Sequence, residues 1–362
     1  MRIITFGGFL GAGKTTTMLA LARRLEHSGE RVAIITNDQG TDLVDTVLAR
    51  GNGAGQVAEI TGGCFCCRFD DLAEVIVRLR DDADPTVILA EAVGSCTDLQ
   101  STVIRPLRHF YGDAMAVSPL TVVVDPLLYR PTSTHWLPLA DEPDLAYLYR
   151  HQLDEAEVIA VNKADLVPGD EMATVCTEIR HRFPAARVFP VSAAGGTGLD
   201  QILSACTGAE TADRHAFEID YDRYGAAEAA LAWTNQTFTL RADAGEAFDP
   251  VGWVDRLLVE FGRASAESAA TIGHVKVLAD SGSGVTKASI TGGVPTPVFD
   301  LRGGSAESAA VTVNARVQTR PIALDELIAR SVDAAGAGGT VRAGERTGQV
   351  FRPGFPVPIH RM

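Results

Sequence analysis

The sequence predicts a doubly wound α/β fold with a mostly parallel sheet, followed by a smaller α+β domain. Three observations carry this expectation. Short, almost continuously apolar runs alternate with helix-length segments as far as residue 206, the pattern of parallel strands covered on both faces. A glycine-rich stretch closed by Lys-Thr separates the first such strand from the first such helix. Beyond residue 230 the alternation gives way to longer strands and two well-marked helices.

In order, the expected strands of the first domain are 2–6 (RIITF), 31–36, 86–91, 121–125, 157–162 and 187–192, with helices at 14–27, 69–82, 97–109, 145–154, 169–182 and 198–206. Strand–helix alternation of this kind implies right-handed crossovers. Residues 1–207 are read as this domain. A polar, Ala-rich linker occupies 208–230, and an α+β domain of ferredoxin-like type occupies 231–336. Its strands are expected at 231–240, 273–279, 284–290 and 308–317. Its helices are expected at 249–264, where an Asp cap precedes Pro at the first turn, and at 323–335. The Gly/Pro-rich stretch 337–362 is expected to be an irregular tail.

Composition narrows the function classes. A formal charge of −14 and a pI near 5.0 exclude a general phosphate-backbone binder, so no nucleic-acid partner is expected. Any anion must be held by local geometry. No run approaches a membrane span, and the apolar start of the chain leads directly into GKTTT rather than a cleavage region. Six cysteines in a chain of this size suggest a reducing compartment, hence a cytoplasmic, non-membrane protein.

GFLGAGKT (8–15) fits the phosphate-loop pattern in its required place, after a strand and opening a helix. It makes the fold a P-loop NTPase. Gly8, Gly11, Ala12 and Gly13 leave room for backbone N–H groups to face phosphates, and the helix N-terminus adds partial positive charge. Lys14 is assigned to the β/γ-phosphates, the Thr15 hydroxyl to Mg²⁺, and Thr16 to the α-phosphate region. NKAD (162–165) follows a strand and selects guanine: Asp165 accepts from N1–H and N2–H₂, Asn162 supports the edge, and Lys163 packs over the ring. Ser192 and Ala193 sit where a backbone N–H meets O6. The nucleotide is therefore GTP or GDP. Two strands end in an acid. Glu91 is preferred for the Mg²⁺ shell and catalysis because Gly94 follows it as a γ-phosphate sensor, and Asp125 is read as a strand-end cap.

GFLGAGKTT (8–16), GCFCC (63–67), EAVG (91–94) and NKAD (162–165), in this order, resemble the motifs of the CobW-like metallochaperone GTPases. The resemblance covers about the first 205 residues. It implies a GTPase, slow without partner or metal, that binds a transition metal and delivers it or a metallocofactor to a client metalloenzyme or cofactor-maturation protein. The chain departs from the family at NDQG (37–40), where Asn-Glu-Phe-Gly is usual, and it lacks a His-rich stretch; high-capacity storage is not expected, and either transfer is stoichiometric or the client differs from the family's cobalt and zinc cases. A nucleotide-sandwiched homodimer is compatible with such GTPases, though no hydrophobic stripe specifies one.

Cys64, Cys66 and Cys67 are candidate ligands for a thiophilic ion, Zn²⁺ or Co²⁺ first. In an extended strand Cys66 and Cys67 would point apart, so convergence needs a turn, which Gly62 and Gly63 can supply. A tetrahedral shell has one more place, for which Asp38 and Cys96 are the candidates. Cys176 and Cys206 fall in helical patterns and read as buried thiols. Other readings stay open: a regulatory switch with structural zinc, a redox sensor using the i, i+3 pair Cys64 and Cys67, and three thiols that merely pack in the core beside the Gly-Gly turn.

Overall fold

The computed structural model describes residues 1–37, 56–134, 142–208, 217–243, 246–268, 270–292, 296–337 and 341–362. Among the described residues, contacts divide the chain into two units. The first holds residues before Glu228 together with Phe355–Met362, and the second holds Glu228–Gly354.

In the first unit, strands β1 (Arg2–Gly7), β2 (Val32–Asn37), β3 (Gln56–Ile60), β4 (Val87–Glu91), β6 (Thr121–Val124), β7 (Val158–Val161) and β8 (Arg187–Pro190) lie in the order β3-β2-β4-β1-β6-β7-β8. The short β5 (Ala116–Val117) pairs with β1. Every pairing is parallel. Strands 1, 2, 4, 6 and 7 are apolar and almost wholly buried, because helices cover both faces. The helices are α1 (Lys14–His27), α2 (Phe69–Ala83), α3 (Arg105–Tyr111), α4 (Pro126–Ser133), α5 (Asp144–Asp154), α6 (Gly169–Arg182), α7 (Leu199–Thr207) and α8 (Tyr221–Ala229).

Several elements differ from the sequence reading. The helix expected at 97–109 opens instead as a π-helical turn, Gln100–Ile104, and becomes α-helical at Arg105. Pro106 has no N–H to offer the carbonyl four residues back, so the preceding turn widens. The stretch read as a featureless linker contains α8, and β3 and α4 were not expected.

In the second unit, β9 (Leu231–Ala242), β10 (Thr271–Asp280), β13 (Ser308–Gln318) and β14 (Val341–Ala343) give the order β10-β13-β9-β14, all antiparallel. Helix α9 (Pro250–Glu267) joins β9 to β10, and α10 (Pro321–Gly336) joins β13 to β14. This is the split βαβ arrangement of ferredoxin-like domains. A hairpin of β11 (Val285–Thr291) and β12 (Val298–Leu301) extends the sheet beyond β10. Trp253, Leu257 and Phe261 of α9 bury against Val275, Val277 and Val313 of the sheet. Residues 337–362 are not irregular throughout: they supply β14 and β15 (Thr347–Phe351), which pairs with β9.

Candidate nucleotide and thiol site

The functional motifs all leave the C-terminal ends of parallel strands, where open α/β sheets place their ligands. The phosphate loop follows β1, and α1 begins at Lys14. Gly8, Gly11 and Gly13 have φ of 124°, 76° and 93°. A Cβ on Gly8 would stand 2.2 Å from Val123 O, and one on Gly13 would stand 2.3 Å from Asn162 Nδ2, so neither position admits a side chain. Lys14 Nζ donates to the loop carbonyls of Gly8 (2.9 Å) and Phe9 (3.2 Å). The buried Thr15 hydroxyl donates to Glu91 Oε1 at 3.0 Å. These two oxygen-bearing groups form a donor pair that suits a hard cation such as Mg²⁺. Thr16 is half-buried on the next position of α1.

Asn162 ties the two halves of a nucleotide site together. Its Nδ2 donates to Ala12 O at 3.0 Å, and its Oδ1 accepts from Ala193 N at 3.0 Å. Ser192 donates to the exposed Asp165 carboxylate and accepts from Gly195 N, which fixes the direction in which Asp165 faces. Lys163 has φ 60°, and its ammonium lies 2.6 Å from Asp125 Oδ2. The other Asp125 oxygen accepts from Leu127 N at 2.9 Å and caps α4, the strand-end role the sequence indicated.

The three cysteines do turn inward together. Gly62 has φ 75°, and Cys67 N and Arg68 N both donate to Cys64 O, closing the turn. The sulfurs lie 2.6 Å (Cys64–Cys66), 3.5 Å (Cys64–Cys67) and 3.7 Å (Cys66–Cys67) apart. Cys64 and Cys66 are buried and Cys67 is half-buried. Hydrogen bonds from Cys66, Cys67 and Cys96 hold the Cys64 thiol well below its ordinary pKa. The same bond to Cys64 holds Cys66 well above it and pushes Cys67 up to about 11. These bonds favour ionisation at Cys64 over its two neighbours.

The fully buried Cys96 thiol interacts with those of Cys64 and Cys66, whereas the sulfurs gathered within 4.8 Å of one another are those of Cys64, Cys66 and Cys67. Asp38, the other candidate, lies outside the described residues. Cys176 and Cys206 are buried elsewhere, Cys206 against the Thr121 hydroxyl.

Strand order explains how one loop lies toward both the phosphate loop and the thiols. β4 lies between β2 and β1, so the loop after Glu91 runs between the phosphate loop and the cysteine turn. Gly94 packs on the phosphate loop so closely that a Cβ would stand 2.7 Å from Leu10 Cδ2 and 3.0 Å from Lys14 Nζ. Two residues on, Cys96 reaches the thiols.

Two further residues build the site, and sequence reasoning did not single them out. Gln152 of α5 donates to both Gly94 O (3.1 Å) and Cys96 O (2.8 Å). Asn37, at the end of β2 and in register with Ile60 of β3, donates to Ile60 O and Gly63 O and accepts from Phe65 N. An Asn closing a strand, at the head of the NDQG stretch, was the available signal for the second. Nothing local marked the first.

A sequence profile of the CobW/HypB/UreG nucleotide-binding domain matches residues 2–190, just over half of the chain, and the chain belongs to this family. The zinc chaperone CobW of Pseudomonas aeruginosa is 28% identical over 209 residues, 49% of this chain and 53% of that protein. The zinc chaperone YeiR of Escherichia coli is 30% identical over 171 residues, 46% of this chain and 48% of that protein. The chain thus spans about half the length of the curated relatives it matches. Among solved structures, nickel-bound HypB from Helicobacter pylori is similar with a TM-score of 0.41 and 15% identity, over 59% of this chain and 92% of that one. Zn(II)-bound YjiA GTPase from E. coli gives 0.35 and 13%, over 93% and 98%. No helix among the described residues is long and apolar enough to cross a membrane.

Proposed function

We propose that this protein hydrolyses GTP and uses the nucleotide cycle to hold and hand over a thiophilic metal ion, with a client metalloenzyme or cofactor-maturation protein as recipient. The observation that carries the reading is a single loop, Glu91–Cys96, that meets the phosphate loop through Glu91 and Gly94 and the thiol cluster through Cys96. Zinc is the first candidate for cargo, since sulfur donors favour it and both similar chaperones carry it in their names. Cobalt is the second.

In this reading Lys14 exchanges its carbonyl partners for β/γ-phosphate oxygens, and Thr15 and Glu91 hold Mg²⁺. When bound, that ion neutralises charge developing on the transferred phosphoryl group. Asp165, oriented by Ser192, accepts guanine N–H groups, and the Ala193 region meets O6. Asn162 keeps the base loop and the phosphate loop in fixed relation. Cys64, Cys66 and Cys67 bind the cargo, and Cys96 supplies the remaining thiolate of a four-sulfur shell. Since Cys96 rides on the loop that would sense the γ-phosphate, nucleotide state changes how well that shell closes.

Anaerobic titration with Zn²⁺ tests the assignment. Wild type is expected to bind one equivalent, and a Cys64→Ser/Cys66→Ser/Cys67→Ser variant none. Failure of the wild type to bind, with a Cys64–Cys67 disulfide forming in air, would replace this reading by a redox sensor. A metal whose removal by chelator melts the protein would mark a structural zinc instead.

A further inference from the structure

The segment Phe355–Met362 belongs to the first unit, and it lies across the cysteine turn. Val357 N donates to Cys67 Sγ at 3.3 Å, and Ile359 N donates to Cys66 O at 3.1 Å. The sequence FPVPIHRM explains the docking. Pro356 and Pro358 force the residues before them into extended backbone and have no N–H themselves. In an extended chain alternate N–H groups point the same way, so 357 and 359 face the cysteine turn. Pro356 is buried and Pro358 half-buried, and neither can donate to a further strand.

The rest of the segment is a latch. Arg361 Nε pairs with Asp98 Oδ2 at 2.8 Å, and Arg361 Nη2 donates to Phe217 O at 2.8 Å. Asp98 is buried, has φ 61°, and also accepts from the Tyr221 hydroxyl at 2.8 Å. Met362 N donates to Ser101 O at 2.9 Å, and Arg105 Nη1 donates to Met362 O at 3.0 Å. The His360 ring stands edge-on to Phe69 and tilted against Phe110, each at 5.1 Å. Other side chains of the strap are exposed: Val357 by 69% and Phe355 by 56%. The strap is therefore held by directional contacts at one end, by two backbone N–H groups on the cysteine turn, and by the buried Pro356. Such a segment can open without unfolding the core.

We propose that Phe355–Met362 is a gate over the thiol site. Closed, it holds Cys67 and covers the cluster; released at the Arg361–Asp98 pair, it exposes Cys67 for metal exchange with a partner. Asp98 lies two residues past Cys96 on the loop that meets the phosphate loop, so the latch and the thiol shell share one nucleotide-facing element. As a statement about metal transfer the gate rests on the function proposed above; as a statement about thiol access it does not.

The test uses the full chain in two arms. In the first, metal-free protein is alkylated with iodoacetamide, and modification of Cys67 is followed by peptide mass spectrometry. Arg361→Ala removes a charge-assisted latch and is expected to speed modification about tenfold, with Arg361→Lys restoring much of the slow rate. Val357→Pro loses the N–H over Cys67, which also lowers that thiol's pKa and so favours its reaction; this variant is therefore read in the chelator arm, where faster zinc loss is expected. In the second arm, zinc-loaded protein is challenged with a chromophoric chelator, and the same ranking of rates is expected. Rates equal to wild type in Arg361→Ala and Val357→Pro, with thermal melting unchanged, would overturn the gate. A wild type that binds no zinc, yet shows the alkylation ranking, would defeat the metal reading and leave the gate standing.

Discussion

Glu91 and Asp125 show how two similar strand-end carboxylates acquire different roles. Glu91 meets the Thr15 hydroxyl inside the nucleotide site, whereas Asp125 is spent on the α4 cap and on Lys163. Glu91→Gln keeps the shape, and a hydrogen bond, but removes the charge. Phosphate-release assays should show turnover falling at least about tenfold. Asp125→Asn keeps a good cap and should leave turnover near wild type, weakening guanine-nucleotide binding through Lys163. The reverse ranking would reassign the Mg²⁺ carboxylate. At this scale the sequence was legible where chemistry is local. GKT, NKAD and the cysteines declare themselves by spacing, because the turn that uses them is built from the same few residues. Asn37 and Gln152 do not, because their partners are supplied by β3 and by the β4 loop, which only the fold brings near.

Among the elements, the buried parallel strands were readable from apolar runs alone, and α1 and α6 from clear amphipathic segments. The misreadings share a cause. α8 and the Phe355–Met362 strap are ordered by hydrogen bonds to distant backbone and side chains, such as Asp220 N donating to the Tyr147 hydroxyl oxygen, so composition suggested loops. At 97–109 a proline changed the helix type without ending it. Helix α5 carries a testable consequence. Glu155, buried beside Asp98 and accepting from Thr97 Oγ1 and Gln100 N, has its pKa pushed up to about 8, first by burial. An acid raised in the folded state contributes stability that is fully present below its unfolded pKa and is lost as pH rises through about 8. His151, on the same helix, is lowered to about 4 by burial, so its contribution is lost in the opposite direction, as pH falls below its unfolded value near 6.5. Thermal melts should therefore show stability falling from about pH 6.5, above which His151 no longer offsets the loss, to about pH 8, and Glu155→Gln should flatten that slope. An unchanged slope in the variant would show that Glu155 is not the titrating group.

At the scale of the whole molecule, the second unit folds around its own core, while the proposed chemistry gathers on one edge of the first. The order β3-β2-β4-β1 sets cysteine turn, Glu91–Asp98 loop and phosphate loop side by side. That arrangement could not be read from the chain, since strand order is fixed by crossovers rather than by any one motif. Its consequence is reciprocal linkage: if GTP draws the loop toward the phosphates, it alters the position of Cys96, and metal must change GTP affinity by the same factor. The most direct test is the zinc affinity of wild-type protein, titrated anaerobically once with GDP and once with a non-hydrolysable GTP analogue. The account predicts binding about tenfold tighter with the analogue, within the usual range of allosteric coupling. Equal affinities would contradict it, leaving two sites that share a loop but not a free energy.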